Sequence, residues 1–253
     1  MNEIANLGWL EVLTIGSCHN VESIGGMKFP TLKTLFVQDC QSLKSLLLDG
    51  KNFPQLETLV VEECNNLDLE LKKGDHEEQS PKLKLKFVGF STLSQLVTLP
   101  KWFQEAVNSL QCLVVINCHN FESFPDWLPV LTDMKTLQII NCPKLVALPD
   151  NIHLFTALEN LTIGGYAADL YKKYEQHVGE FWPKISHIKK NFFDEAEDLD
   201  EEAVKTCHPT QFDPAHPIRP GPPWVDHLVS ELNPVHLLAS QKNSNLVRPT
   251  TGW

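Results

Sequence analysis

The chain has 253 residues, of which 42% are hydrophobic and 21% are charged, and its formal net charge is −11. That apolar fraction supports a folded core and excludes a wholly disordered chain. No apolar run reaches the ~18 residues of a membrane-spanning helix. The N-terminus lacks the basic segment of a secretory signal, and the composition shows no basic face. We therefore expect no membrane span, no secretion and no nucleic-acid binding.

One motif, L-x-x-L-x-(I/V)-x-x-C-x-x-L-x-x-L, recurs along the chain up to residue 165. Its cysteines Cys18, Cys40 and Cys64 are 22 and 24 residues apart, and Cys118 and Cys142 are 24 residues apart. Seven copies align, and they begin at Leu10, Leu32, Leu56, Leu85, Leu110, Met134 and Leu158. The fourth copy is degenerate, and we align it on Leu85, Phe87 and Phe90.

The motif predicts a repeat fold. Its L-x-(I/V) core alternates with period two, which favours a short strand with one buried face. A single strand cannot bury that face alone, so the copies are expected to stack as a solenoid. The x-x-L-x-x-L arm has period three, which suits 3-10 turns or extended segments. We predict an α/β leucine-rich-repeat solenoid, with a curved parallel β-sheet on the concave face and an irregular or 3-10 convex side.

The cysteine at each strand end is expected to point into the core as a small apolar group with a weak donor. The seven cysteines are an odd number and form no C-x-x-C pair, which disfavours a secreted disulfide framework and a zinc site. Stacked strands would bring neighbouring cysteines within reach of a disulfide. We nevertheless predict free thiols, as in a reducing compartment.

Two interruptions organise the chain. Residues 68–84 are polar and contain glycine and proline, so they predict a loop inserted between repeats. Residues 167–190 begin with a predicted short helix and are expected to cap the last repeat. We therefore predict a leucine-rich-repeat domain over 1–190. Residues 191–253 hold an acidic run, Asp194–Glu202, and then eight of the 17 prolines, so we predict a disordered tail with a short amphipathic stretch at Trp224–Leu232.

Side chains that flank the inward strand residues are expected to line the concave face. An exposed apolar row there is a candidate contact surface, although β-branched residues also simply favour strands. Acidic side chains on the same face could steer a basic partner, or they could only keep the surface soluble. The candidate protein-contact residues are an apolar row, Val88, Val114, Ile116 and Ile140, and an acidic patch, Asp39, Glu62 and Glu63.

No catalytic or metal-binding arrangement emerges from the sequence. Its histidines are scattered, and no Ser/His/Asp or Cys/His set or general acid–base pair has suitable spacing. We therefore expect no enzyme, no cofactor and no metal.

The repeat L-x-x-L-x-I-x-x-C-x-x-L-x-x-L-P resembles the C-terminal repeats of plant nucleotide-binding leucine-rich-repeat disease-resistance proteins, especially the coiled-coil class. Leu137–Leu145 and Leu158–Gly165 are similar to the last repeats of that class, and Phe181–Ile188 is similar to its closing segment. The resemblance covers about residues 5–190. It implies a cytoplasmic or nucleo-cytoplasmic module that senses a pathogen effector or a guarded host protein. It also implies that the repeats restrain a nucleotide-binding domain, in cis or in trans.

The sequence departs from that family in one important respect, because it contains no G-x-x-x-x-G-K-[ST] phosphate loop. Leu10 opens the first copy with little sequence to cap it. We therefore expect the chain to belong to a longer protein or to need a partner at that end. Two alternatives remain open. One is a stand-alone adaptor or decoy that competes with a full receptor. The other is a substrate-recruiting subunit of a ubiquitin ligase, which is disfavoured because no F-box-like segment precedes the repeats.

Overall fold

The computed structural model describes residues 9–69, 82–106, 108–128, 131–165 and 168–194. The predicted tail beyond residue 194, including Trp224–Leu232, lies outside these ranges, as does most of the predicted loop 68–84.

One parallel sheet of eight strands organises the described chain. Its strands are β1 Val12–Gly16, β3 Thr34–Gln38, β5 Thr58–Glu62, β6 Phe87–Ser91, β7 Cys112–Ile116, β8 Thr136–Ile140, β9 Asn160–Gly164 and β10 Lys190–Asp194. Each strand of this sheet pairs with the next one along the chain, in the order β1-β3-β5-β6-β7-β8-β9-β10. The short strands β2 Ser23–Ile24 and β4 Ser45–Leu46 pair separately. The predicted parallel solenoid is therefore confirmed.

The repeat motif builds the core column by column. Equivalent positions lie opposite one another, so that Leu13 pairs with Leu35 and Leu35 pairs with Leu59. These leucines and the I/V residues two positions later face inward and are buried in one continuous cluster. A tight turn follows each strand, in which the amide of Leu43 donates to the carbonyl of Cys40 at 3.0 Å. That turn brings the leucine of C-x-x-L back into the core.

The convex side consists of turns and short 3-10 segments at Lys101–Ala106 and Ile152–Leu154, as the period-three arm predicted. Helices α1, Ala168–Tyr174, and α2, Trp182–Ile185, follow β9. They bury Leu170, Tyr174 and Ile185 against the end of the repeat core.

Two predicted boundaries need correction. The sheet continues into β10, which pairs in parallel with β9, so the predicted domain end at residue 190 cuts off the last strand. The predicted insertion 68–84 is too wide, because Leu69 and Leu83 are both buried in the repeat core. The indole Nε1 of Trp102 also donates to the carbonyl of Leu69 at 2.9 Å, which anchors the first end of the insertion. Polar composition marked the insertion, but it could not show where the chain leaves and rejoins the core.

Candidate protein-contact surface

An apolar strip runs across the concave face of the sheet. Its side chains come from the outward positions of β3, β5, β6, β7 and β8, and they pack on one another in a cluster separate from the repeat core. We call this strip the apolar floor. It consists of Phe36, Val60, Phe87, Val114, Ile116 and Ile140.

The structure places three of the four predicted row residues in the apolar floor. Val114, Ile116 and Ile140 lie on the concave face, as predicted. Their exposed fractions are only 3%, 5% and 2%, however, so the prediction that they form an openly exposed row is wrong. Because they pack within a continuous cluster, they present little free surface.

Val88 does not belong to the concave face. It pairs in register with Leu59 and Leu113, which face the repeat core, and it is 0% exposed within that core. The alignment of the fourth copy on Phe87 was one residue out of register, and a one-residue slip reverses the face of every side chain. The intact pattern is Leu85-x-x-Val88-x-Phe90, with Leu93 at the cysteine position.

Phe87 therefore replaces Val88 on the concave face, and a glycine leaves space beside it. A Cβ at Gly89 would lie 3.3 Å from the Phe87 ring and 3.7 Å from Val60. Gly89 thus lets the Phe87 ring extend toward Val60. Phe36, Val60 and Phe87 were not among the predicted contact residues, although the residue between the two inward positions of L-x-(I/V) identifies Phe36 and Val60 directly.

A carboxyl-terminal rim borders the floor where the strands end. Each of the first six long strands is followed by a non-glycine residue with φ between 49° and 53°. Its amide donates to the last carbonyl of the next strand at 2.9–3.1 Å, which extends the ladder beyond the sheet. The carboxyl-terminal rim consists of Ser17, Asp39, Glu63, Thr92, Asn117 and Asn141.

The predicted acidic patch divides between this rim and the floor's edge. Asp39 and Glu63 lie on the carboxyl-terminal rim, where Glu63 is exposed and Asp39 is partly exposed. The Asp39 carboxylate accepts a hydrogen bond from the Ser17 hydroxyl at 3.0 Å. Glu62 is the last residue of β5 and is only 1% exposed. The three residues are therefore neighbours, but only Asp39 and Glu63 offer accessible charge.

An amino-terminal rim borders the opposite edge of the floor. One residue precedes each long strand, and these residues largely alternate in charge: Glu11, Lys33, Glu57, Lys86, Gln111, Lys135, Glu159 and Lys189. Neighbours form ion pairs at 3.1 Å for Lys33 with Glu11, 2.9 Å for Lys86 with Glu57 and 2.7 Å for Lys189 with Glu159. This column of charges was not predicted, because it lies outside the leucine pattern.

The cysteine column lies beneath the carboxyl-terminal rim and faces the core. The Cys40 thiol donates to the carbonyls of Gln38 at 3.3 Å and Ile15 at 3.7 Å, and so links adjacent strand ends. Cys142 makes the same pair of contacts with Ile140 and Val115. None of the six cysteines within the described ranges is joined in a disulfide. Burial raises the pKa of Cys118 to about 11 and that of Cys142 to about 12, which keeps both thiols protonated at neutral pH.

This arrangement suits surface recognition. The rims border the concave face with exposed and partly exposed polar and charged side chains, which can pair with complementary groups on a partner. Within the described residues, no group of three or more His, Cys, Asp or Glu side chains is placed to hold a metal ion. In the same part of the chain, no helix has the length and apolar character needed to cross a membrane.

The strand register and the repeated columns define the chain as a leucine-rich-repeat solenoid. No protein-family model and no curated protein matches it. Among solved structures, it is similar to one described as the leucine-rich repeat domain of the type III effector XCV3220 (XopL). The two share 16% sequence identity with a TM-score of 0.39, over 64% of this chain and 71% of the other.

Proposed function

We propose that the chain is a non-catalytic protein-recognition module of plant innate immunity. In this proposal it senses a pathogen effector or a guarded host protein in the cytoplasm, or in both nucleus and cytoplasm. It also restrains a nucleotide-binding switch domain that this sequence does not contain. The sequence supports the proposal through its resemblance to the repeats and the closing segment of coiled-coil-class resistance proteins.

The observation that carries the recognition role is the concave face itself. The six side chains of the apolar floor are nearly buried, so the accessible part of this face consists of the polar and charged side chains of the two rims that border the floor. Asp39 and Glu63 place negative charge at one end of the carboxyl-terminal rim. Like charges repel and opposite charges attract across an interface, so this end favours a partner with basic side chains.

Sequencing the native transcript upstream of Met1 tests the receptor assignment. An in-frame phosphate-loop domain would make this chain the sensor end of an ATP-regulated receptor. An in-frame stop codon directly upstream would overturn that assignment. The adaptor or decoy function, which the absence of a phosphate loop from this sequence favours, would then lead.

A binding experiment tests the surface. The probe is the nucleotide-binding domain of a coiled-coil-class resistance protein, supplied in trans, and affinity is measured by calorimetry. Replacing two rim carboxylates, Asp39→Lys with Glu63→Lys, should weaken binding about tenfold. The control, Asp126→Lys with Asp133→Lys, makes the same charge change at exposed convex positions between β7 and β8 and should leave affinity unchanged. Equal affinity for both double variants, or no binding by the unmodified chain, would contradict the proposed surface.

A further inference from the structure

Three cysteines, Cys18, Cys40 and Cys64, lie in a row two residues beyond the ends of β1, β3 and β5. The ladder that joins these strands continues to the residue before each cysteine. The Ser17 amide donates to the last carbonyl of β3 at 3.0 Å, and the Asp39 amide donates to the last carbonyl of β5 at 3.1 Å. Neighbouring Cα atoms in the row therefore lie about one strand spacing apart, ~4.8 Å, which falls within the range of roughly 4.4–6.8 Å that a disulfide requires.

The sulfur atoms of this row turn toward one another. The Cys40 thiol donates to the carbonyl of Ile15 in the preceding long strand at 3.7 Å, so its sulfur leans toward the first repeat. The side chains of Cys18 and Cys40 are hydrogen-bonded to each other, and Cys40 is also hydrogen-bonded to Cys64 in the third repeat. Cys40 thus has a sulfur neighbour on each side, and a disulfide to either one needs no change in strand pairing.

We infer that Cys18 and Cys40 form a thiol-oxidation site whose oxidant is a small disulfide of the glutathione class. One protein thiolate attacks a sulfur of glutathione disulfide, which gives a mixed disulfide and releases one glutathione. The second protein thiolate attacks the protein sulfur of the mixed disulfide, which closes the bond between Cys18 and Cys40 and releases the second glutathione. Two protein thiols are oxidised, one glutathione disulfide is reduced, and the two protons pass to the released glutathiones. Nothing in this chemistry depends on the proposed function.

Hydrogen bonding selects Cys40 as the nucleophile that closes the bond. When ionised, its sulfur accepts hydrogen bonds from the Cys64 thiol and from the backbone amide and thiol of Cys18, and these lower the pKa of Cys40 to about 7 although burial opposes them. The pair Cys118 and Cys142 occupies the same column later in the stack, but burial raises their pKa values to about 11 and about 12. Because the thiolate is the attacking species, this later pair should react far more slowly.

The position of the first repeat gives the oxidant access to the site. Cys18 is 5% exposed, whereas Cys40, Cys64 and Cys118 are 0% exposed. Among the described strands, β1 has one partner, and strands at the end of a stack open at a lower free-energy cost than strands inside it. Opening of the first repeat uncovers Cys18 together with the side of Cys40 that faces it, and reclosure brings the two sulfurs back into contact.

Oxidation ties the first repeat to the second. A disulfide between consecutive repeats restricts the unfolded chain and holds β1 beside β3. The bond therefore stabilises the end of the stack that otherwise opens most easily. In a reducing compartment the site remains two thiols, and it closes when small disulfides accumulate.

Peptide mapping of the oxidised full chain tests the inference. The folded chain is incubated with glutathione disulfide at about pH 7 and the remaining thiols are alkylated. Trypsin then separates the three cysteines of the row into peptides 1–28, 34–44 and 52–72. We expect a linkage between peptides 1–28 and 34–44. The later pair of the column is an internal control, because its linkage joins peptides 102–135 and 136–144 and should form at least about tenfold more slowly.

The variant Cys64→Ala tests the chemistry of the closing step. It removes the largest cause of the lowered pKa of Cys40 and leaves both sulfur atoms of the site in place. The linkage between peptides 1–28 and 34–44 should still form, but several-fold more slowly at about pH 7 and with a rate profile shifted to higher pH. The matched variant Cys142→Ala removes a buried cysteine of the same column and should change neither the rate nor the profile. Identical profiles for the two variants would overturn the assignment of Cys40 as the nucleophile.

Hydrogen exchange of the reduced and oxidised chains measures the structural effect. The amides of β1 should exchange at least about tenfold more slowly in the oxidised chain, whereas those of β8 should change little. Equal exchange of β1 in the two states would show that the bond does not hold the first repeat.

Three results of the peptide mapping would overturn the site itself. They are mixed disulfides with glutathione alone, Cys64 in place of Cys18 as the main partner of Cys40, and closure of the later pair at an equal rate. None of these results bears on the upstream transcript or on binding of the trans probe, so the oxidation site can fail while the proposed function stands.

Discussion

The residues that end the strands adopt a backbone conformation that most side chains avoid. Six non-glycine residues on the carboxyl-terminal rim have positive φ, and the next repeat uses Gly165 with φ 82°. Asparagine and aspartate tolerate this region, whereas other L-residues lose about 1–2 kcal/mol there. The conformation turns the chain so that the following cysteine or leucine enters the core. The strain therefore follows from the repeat architecture.

Thr92 is the least suitable residue for this conformation because it is β-branched. We expect Thr92→Asn to raise the free energy of unfolding by about 0.5–1 kcal/mol. The urea midpoint should rise at an unchanged m-value. The reverse change, Asn117→Thr, should lower stability by more, since it also removes the bond that the Asn117 side chain accepts from Asn141 at 3.0 Å. Equal midpoints for both variants would show that the rim is unstrained.

Ile116 tests whether the apolar floor is buried in solution. Ile116→Asp removes a buried side chain worth about 1.5–3 kcal/mol and introduces a carboxylate into an apolar cluster, so it should destabilise the protein by at least about 3 kcal/mol. Thermal unfolding monitored by circular dichroism measures the loss. Val146→Asp, at an exposed position, should change the melting temperature little. A melting temperature unchanged by Ile116→Asp would restore the sequence-based expectation of an open contact row.

At the scale of elements, the amino-terminal rim helps neighbouring repeats recognise one another. Each ion pair joins two consecutive strands at the point where they begin, and glutamate and lysine alternate through β6. A strand that skipped its neighbour, such as β1 beside β5, would bring like charges together, here Glu11 and Glu57. This column of charges therefore favours the observed strand order. The leucines do not distinguish one neighbour from another, because they are the same in every repeat.

A double-mutant cycle on Glu57 and Lys86 measures this coupling. Their side chains are 33% and 52% exposed, so the pair should contribute only about 0.2–1 kcal/mol. The coupling energy from Glu57→Gln, Lys86→Gln and the double variant should fall in that range in dilute buffer. In 1 M salt, a ~3 Å Debye length should reduce it toward zero. A coupling that salt does not change would point to packing of the side-chain stems instead of charge.

At the scale of the whole molecule, stability should vary along the solenoid. Each long strand pairs with its immediate neighbours, so among the described strands β1 and β10 have one partner each and the six strands between them have two. In such a stack, stability is approximately a sum of repeat and interface terms. The strands at the two ends of the stack should therefore open more easily than the strands at its centre.

Amide hydrogen exchange of the full chain tests this gradient. We expect the amides of β7 to exchange at least about tenfold more slowly than those of β1, because opening β7 breaks two repeat interfaces and opening β1 breaks one. Equal protection in both strands would show that the stack unfolds as a single cooperative unit.

The sequence by itself determined the fold class, because its signals are local: the leucine period recurs in seven aligned copies and the cysteine in five of them. It also placed Val114, Ile116 and Ile140 on the correct face, since that face follows from counting along an aligned strand. These features need no knowledge of distant contacts.

Only the tertiary structure decided the rest. In the fourth copy, Phe87 and Val88 are both apolar, so the alignment alone could not tell which one faces the core, and pairing with β5 and β7 placed Val88 inside. The strand β10 lacks the leucine motif, so only its parallel pairing with β9 shows that it belongs to the sheet. The burial of the apolar floor and the pairing of the rim charges likewise depend on neighbours more than twenty residues away, which no local pattern records.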